Sequence, residues 1–188
     1  TCALPILDEQ VGVREQVGSL QAAWWGVATM FFVNGVGYAN WVVRLPSIKE
    51  HLALSDGVLG LALLGVPIGA LITMPLAGAL SIRFGSRPMT ILSSLAFCAA
   101  SVLPGIAASL PTLVFAFVMV GSTSGAFDVS MNAQGVAVER RMGYPVMSSF
   151  HGLFSVGGLV GSGLGGLFAA RGVPLAIHRP KLDIILSV

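Results

Sequence analysis

The chain has 188 residues, of which 55% are apolar and 10% are charged, whereas a soluble domain has about 25% charged residues. With a mean hydropathy of +0.87, this composition excludes an ordinary soluble protein and predicts an integral membrane protein of the all-α class. The net charge of +2 comes without a basic cluster, so we expect no nucleic-acid partner.

The first twenty residues are the most polar part of the N-terminal region. They contain Asp8, Glu9, Arg14 and Glu15 and lack the basic start and short apolar core of a signal peptide. Residues 1–20 are therefore expected to form a short cytoplasmic lead-in. Cys2 lies in this segment, and no disulfide is expected from it.

Five stretches that follow are apolar and long enough to cross a bilayer, since a spanning helix needs about 20 mainly apolar residues. The long stretch after Pro88 divides at Pro104-Gly105 and at Ser109-Leu110-Pro111, which are turn sequences. The predicted spans lie near residues 21–43, 57–81, 89–108, 112–138 and 146–170. The bilayer itself is thus the first expected partner.

The first span carries a polar and aromatic stripe. Asn34, Tyr38 and Trp41 follow at i, i+4 and i+7, so they share one helix face. Asn34 and Tyr38 are expected to line a solute path, because an amide that faced lipid would lack hydrogen-bond partners. Arg44, just beyond the span, is expected to be an interfacial anchor.

The turn between the second and third spans is short and basic. Gly78, Arg83, Gly85 and Arg87 in this turn match the pattern G-x-x-x-D-R-x-G-R-R/K. This pattern resembles the loop between helices 2 and 3 of the major facilitator superfamily, which is cytoplasmic. Ile82 stands where that family usually has Asp, which puts in doubt the control of conformation by this loop.

The fourth span contains the single acid found inside any predicted span, Asp128, with Asn132 one turn later on the same face. A carboxylate facing lipid would cost about 2.5–3.5 kcal/mol on insertion scales. Asp128 is therefore expected to face the bundle and to be a proton-coupling or solute-binding residue. The alternative is a structural hydrogen bond between helices. Gly121 and Gly125 predict close helix packing on this span.

His151 in the fifth span is predicted to lie at the depth of Asp128. Asp128 precedes Glu139 by eleven positions and His151 follows Arg141 by ten, with the bend taken at residues 139–145; each count corresponds to about 15 Å along a helix. Asp128, Asn132 and His151 together would suit proton relay or polar solute binding. The alternative is that His151 only bonds a backbone carbonyl at a helix contact.

The fifth span also predicts close packing. Small residues recur every four positions in two adjacent rows, so that two packed ridges are expected. The first row is Gly157, Gly161, Gly165 and Ala169, and the second is Gly158, Ser162, Gly166 and Ala170. Such ridges suit either helix sliding during a rocking motion or tight packing without motion.

Three further segments extend the resemblance to residues 20–172. They are Asn40–Pro46, Asp128–Gln134 and Ser148–Gly152, which resemble the bacterial YbjJ-type branch, related to fucose-permease-like sugar:proton symporters. The resemblance implies twelve helices in two halves, alternating access, proton coupling through the acid at position 128, and a small, possibly sugar-like solute. It implies the bacterial inner membrane, a cytoplasmic N-terminus and no cofactor.

The last residues depart from this pattern. Lysines and arginines balance at five on each predicted side, but become five against three in favour of a cytoplasmic N-terminus when the tail is left out. After Pro174 no sixth span begins, because Arg179, Lys181 and Asp183 interrupt a short apolar run. Residues 21–172 are expected to be a partial N-terminal bundle and 173–188 a tail foreign to the fold. The partner is then the missing C-terminal half.

Other function classes have weaker support. An aspartyl intramembrane protease needs two facing acids, and Asp128 is the single acid inside the predicted spans. A serine protease would need Ser at the nucleophile position of the pattern G-x-S-x-G, where this sequence has Thr123. Metal-ligand spacing is absent from the sequence, so no enzyme is expected. A non-transporting interaction or regulatory subunit is the alternative to a transporter.

Overall fold

The computed structural model describes residues 4–171, and within that range the side chains of residues 18–168 and 171. The described residues form helices joined by turns, without strands, so the predicted all-α class is confirmed. The helices are α1 (Leu4–Val42), α2 (Leu45–His51), α3 (Asp56–Leu63), α4 (Gly65–Phe84), α5 (Ser86–Ala100), α6 (Leu103–Ile106), α7 (Leu110–Met142) and α8 (Met147–Ala170). The predicted tail, 173–188, lies outside the described residues.

Four segments are long and apolar enough to cross a membrane. They are Asp56–Phe84 (α3 and α4), Ser86–Ile106 (α5 and α6), Leu110–Met142 (α7) and Met147–Phe168 of α8. Helix α1 falls outside this group, since two asparagines and three tryptophans interrupt its apolar run. It nevertheless packs along α8, and we treat it as the fifth membrane helix. Because α1 begins at Leu4, the lead-in predicted for residues 1–20 continues into the first span as one helix.

The helix ends lie at residues suited to turns. Gly85 joins α4 directly to α5 with a φ of +90°, and Gly143 ends α7 with a φ of +76°, a region in which glycine has no Cβ penalty. Helix α7 begins with a capping box in which Ser109 and Thr112 bond each other's backbone N–H groups. The turns at Gly85 and Gly143 reverse the chain sharply, so the membrane segments on either side of each turn run antiparallel.

Helices α4 and α7 meet backbone to backbone. A methyl group added to Gly121 would lie 2.6 Å from the carbonyl carbon of Val66, and one added to Gly125 would lie 3.0 Å from the Cα of Ala70. The Ser122 hydroxyl donates across the contact to the carbonyl of Gly69 at 3.3 Å. Only small residues permit helix axes to approach so closely.

Helices α1 and α8 form a second contact of the same kind. Gly157 lies against the backbone of Phe32, and Gly161 lies against the backbone of Val36, where an added methyl would be 2.8 Å from the Val36 Cα. From the other side, an added methyl at Gly35 would be 2.9 Å from the backbone nitrogen of residue 158. The bundle therefore contains two glycine-locked helix pairs, α4–α7 and α1–α8.

Only one of the two small-residue rows on α8 packs within the described chain. Gly165, the last described glycine of the first row, lies beside Asn40, whose Oδ1 would be 3.3 Å from an added methyl. Methyl groups added to Gly158 or Gly166 would meet no atom within 4 Å. The second row is uncovered within the described residues, because successive residues of a helix point about 100° apart and a single neighbour covers only one row.

Helix α7 is the centre of the bundle and contacts α1, α4 and α5. The hydroxyls of Ser93 on α5 and Ser130 on α7 are 3.1 Å apart and buried. Nearby, the rings of Phe97 and Phe127 pack with centroids 6.2 Å apart. Side chains on α7 can therefore contact more neighbouring helices than those on any other described helix.

Candidate functional site

Asp128 is the polar residue around which the site is built. It lies half-buried on α7, and Asn132 Nδ2 donates to its Oδ1 at 3.1 Å and to its backbone oxygen at 2.8 Å. The four-residue spacing puts both side chains on one helix face. The amide therefore holds one carboxylate oxygen in a fixed direction. The other oxygen, Oδ2, has no hydrogen bond within the part of the chain that the structure describes.

His151 lies on α8, whereas Asp128 and Asn132 lie on α7. Its imidazole packs edge-on against the ring of Phe31 on α1 with centroids 5.2 Å apart. The His151 side chain is otherwise exposed. Asp128 and Asn132 are thus held together by a hydrogen bond on α7, and His151 belongs to the neighbouring helix α8; the three side chains offer an acid, an amide and an imidazole to a proton or a polar solute.

The stripe predicted on α1 divides between the interior and the surface. Asn34 is 6% exposed and its Oδ1 has no hydrogen-bond partner in the structure. It lies along α1 between Phe31, which contacts His151, and Trp41, which packs against Phe117 on α7 at 5.8 Å. Tyr38 is 37% exposed and packs edge-on against Trp41. Neither Asn34 nor Tyr38 lines the two cavities described next.

The first cavity, which we call the Arg44 cavity, has a volume of about 480 Å³. It lies between the C-terminal part of α1 and α5, over α7, and its lining includes Asn40, Trp41, Arg44, Ser94, Phe97 and Phe127. Arg44 is 8% exposed, so the expectation that it is an interfacial anchor was wrong. It lies in a cavity wall shared with α5 and α7, and hydropathy along the chain could not indicate these neighbours.

The basic turn has the form expected from its residues. Gly85 makes the reversal between α4 and α5, and the Arg83 guanidinium lies 5.3 Å from the ring centroid of Phe84. Gly78 faces α7, where an added methyl would lie in ordinary contact with a valine side chain at 3.9 Å. Ile82, at the usual Asp position, is 89% exposed. No charge at that position is therefore available to hold this turn.

The second cavity, which we call the Arg87–Arg141 cavity, has a volume of about 610 Å³. It lies at the end of the bundle that carries the basic turn, between α1, α5 and α7. Its polar lining consists of Ser19, Arg87, Thr90, Gln134 and Arg141. The sequence analysis did not predict that Gln134 and Arg141 share a cavity with Arg87, because a sequence does not show which helices line a common cavity.

Glu139 is a further residue that the sequence analysis missed. Its Oε2 accepts hydrogen bonds from the backbone N–H groups of Val146 at 2.8 Å and Met147 at 2.9 Å. These are the first N–H groups of α8, which have no partners within the helix. The carboxylate thus caps α8 from the end of α7. An acid ahead of a short Gly-Tyr-Pro turn was the available signal for this cap.

Comparison with known proteins agrees with this architecture. The sequence model of the Major Facilitator Superfamily matches residues 27–177. An uncharacterised MFS-type transporter of Yersinia pestis is 38% identical over 154 residues, which cover 82% of this chain and 38% of that protein. An uncharacterised transporter of Sinorhizobium fredii is 33% identical over 159 residues, with 85% and 42% covered. The membrane protein MosC of Rhizobium meliloti is 42% identical over 136 residues, with 72% and 33% covered. The chain therefore spans less than half the length of these relatives.

Proposed function

Since this chain belongs to the major facilitator superfamily, we propose that it forms part of a secondary transporter that moves a small polar solute across a membrane by alternating access. The transporter names of the relatives and the membrane-length helices support this proposal. We place the chain in the N-terminal half, in a bacterial inner membrane with its N-terminus in the cytoplasm. The remaining helices would come from the second half of the same transporter.

We further propose that Asp128 couples solute movement to protons. The observation that carries this proposal is a half-buried carboxylate within a membrane helix, held by a hydrogen bond from Asn132. Moving an ionised carboxylate through a closed, dry state is costly, whereas a protonated one moves at much lower cost. Proton uptake by Asp128 would therefore permit the conformational exchange that carries the solute.

The solute class follows from the groups near Asp128. Asn132 and His151 supply hydrogen-bond donors and acceptors. Farther along α1, the exposed Tyr38 offers an aromatic ring with a hydroxyl. A hydroxyl-rich, sugar-like molecule matches this combination of directional polar groups and one aromatic surface. Asn34, buried with an unpaired oxygen, would bond such a solute only after α1 has moved.

The transport test uses proteoliposomes that contain the whole transporter of which this chain is a part. A panel of radiolabelled sugars, amino acids and organic acids is offered under an imposed proton gradient. We expect Asp128→Asn to abolish accumulation against a gradient while equilibrium exchange of the same solute continues. Asp56→Asn is the matched control, since Asp56 has a 90% exposed side chain and should leave accumulation unchanged. Undiminished accumulation by Asp128→Asn would refute the coupling role.

A second test needs no knowledge of the solute. Hydrophobic carbodiimides react with protonated carboxyl groups in apolar surroundings, so we expect dicyclohexylcarbodiimide to modify Asp128 in the purified chain. Peptide mass spectrometry would find the adduct at Asp128 and not at the exposed Asp56, and pretreatment at high pH would reduce it. If the reagent modified only acids outside the membrane helices, Asp128 would not be a protonatable membrane group.

The alternative is a membrane protein that binds another chain without transporting a solute. The uncovered row of small residues on α8, which includes Gly158 and Gly166, supports this alternative because it offers a close-packing surface. It would be favoured if Asp128→Asn changed no solute flux while the chain still retained a second membrane protein. An enzyme is not proposed, because transporters of this family are generally not enzymes.

A further inference from the structure

The Arg87–Arg141 cavity carries positive charge that the proposed transport mechanism does not use. Arg87 is on the first turn of α5 and Arg141 on the last turn of α7, so both lie where membrane helices end. Gln134 and Thr90 lie deeper along the same two helices and complete its polar wall. The cavity therefore combines two guanidinium groups with an amide at one edge of the bundle.

No acid neutralises these two arginines within the described part of the chain. None of the residues that line the cavity is Asp or Glu, and neither arginine forms an ion pair with a described residue. Glu139, on the same turn of α7 as Arg141, is occupied by the backbone N–H groups of α8. The N-terminus of α5 has no side-chain cap, and its dipole adds further positive potential. The cavity is consequently suited to an anion.

The surroundings of the cavity are apolar, and the adjacent face of α5 is exposed within the described residues. On α5, Ile91 lines the cavity and is 46% exposed, and the next positions along the helix include Leu92 at 63% and Leu95 at 65% exposure. The opposite wall on α1 is formed by small and apolar residues, Ala22, Ala23, Gly26, Val27 and Met30. A ligand with an anionic head and long apolar chains would contact both parts, whereas a free hydrated anion would contact only the arginines.

We propose that the Arg87–Arg141 cavity binds the phosphate headgroup of an anionic phospholipid, whose acyl chains lie along the exposed apolar face of α5. Guanidinium groups bind phosphate oxygens in bidentate geometry, and Gln134 donates from its amide to the phosphate or to a headgroup hydroxyl. Basic cavities between membrane helices are suited to such headgroups. The binding is independent of solute transport and of Asp128.

The test measures lipid binding to the purified 188-residue chain in detergent. Native mass spectrometry records retained phosphatidylglycerol and phosphatidylcholine, each titrated alone and in competition. We expect phosphatidylglycerol to bind more tightly to the wild type. Each single change, Arg87→Gln or Arg141→Gln, should weaken its binding about fivefold, the factor for roughly 1 kcal/mol lost with one hydrogen bond to the phosphate. The double variant should lose about 25-fold.

The matched control is the double variant Arg83→Gln, Arg140→Gln. These arginines are exposed at the same end of the bundle and do not line the cavity, so the variant has the same net charge but should bind phosphatidylglycerol within about twofold of the wild type. Circular dichroism and thermal melting would be used to check that both double variants are folded. Excess inorganic phosphate should not displace the lipid.

Three results would overturn the proposal. The first is equal loss of binding in the control, which would indicate general surface charge. The second is displacement of the lipid by inorganic phosphate at comparable concentration, which would indicate a site for a soluble anion. The third is the absence of any preference for phosphatidylglycerol in the wild-type chain, a result that does not depend on the folding of any variant.

Discussion

The contact between α4 and α7 makes Gly121 the position where one added methyl group should have the largest effect. In Gly121→Ala the new carbon would lie 2.6 Å from the carbonyl carbon and 2.7 Å from the Cα of Val66. Carbon atoms pack at about 3.5–4.0 Å. Both obstructing atoms belong to the backbone of another helix, so no side chain can rotate away to relieve the overlap.

The cost can be worked out from this geometry. Relief requires the helix axes to separate by about 1 Å, and a gap of that size forfeits roughly a quarter to a half of each dispersion contact along the surface. Overpacking of this kind costs about 1–3 kcal/mol in protein interiors. The close contacts at Gly69 and Gly125 lie on the same surface and would loosen together, so we expect a value near the upper end, about 3 kcal/mol.

The assay is reversible unfolding in mixed micelles of mild detergent and dodecyl sulfate, followed by circular dichroism. Gly163→Ala is the matched control: it makes the same change inside α8, where an added methyl would meet no atom within 4 Å. That variant should be stabilised by about 0.5–1 kcal/mol, because alanine lowers the entropy cost of helix formation. The reasoning would be refuted if Gly121→Ala were as stable as the wild type, or if both variants lost equal stability.

Two further predictions concern α7–α8 and α5. Glu139→Gln should lower the free energy of unfolding by about 1–2 kcal/mol, because charge-assisted hydrogen bonds to the N–H groups of Val146 and Met147 become neutral ones; the same micelle assay measures this loss, and unchanged stability would contradict the capping role. In a Cys2→Ser background, the exposed thiol of Cys98 should react with a membrane-permeant maleimide and resist a charged, impermeant one. Equal reaction with both reagents, measured by mass spectrometry, would contradict its position on a membrane helix.

Much of the fold could be predicted from local properties of the sequence. Apolar length predicts where membrane helices lie, since a bilayer requires about 20 apolar residues whatever the neighbours are. Turn chemistry is also local, and Gly85 is where a positive φ is needed. The four-residue spacing of Asp128 and Asn132 predicted a shared face, and the structure adds the hydrogen bond between them.

What depends on neighbouring helices could not be predicted in the same way. Arg44 follows an apolar run and has the sequence context of an interfacial residue, yet it is 8% exposed and lines a cavity with residues of α5 and α7. Asn34 and Tyr38 share a helix face by periodicity, yet Asn34 is buried and Tyr38 is exposed. A single sequence specifies the direction in which a side chain points from its own helix axis. It does not specify which helix occupies that direction.

The pairing of α1 with α8 has a consequence for the synthesis of the chain. The backbone of Phe32 on α1 meets Gly157 on α8, so this contact cannot form until α8 has been made. At about 5–20 residues per second, α1 must wait in the membrane for a time on the order of ten seconds with its partner surface uncovered. Helices α4 and α7 are complete earlier and can lock first. Insertion factors that shield α1 during that interval should therefore determine the yield of folded protein more than its final stability does.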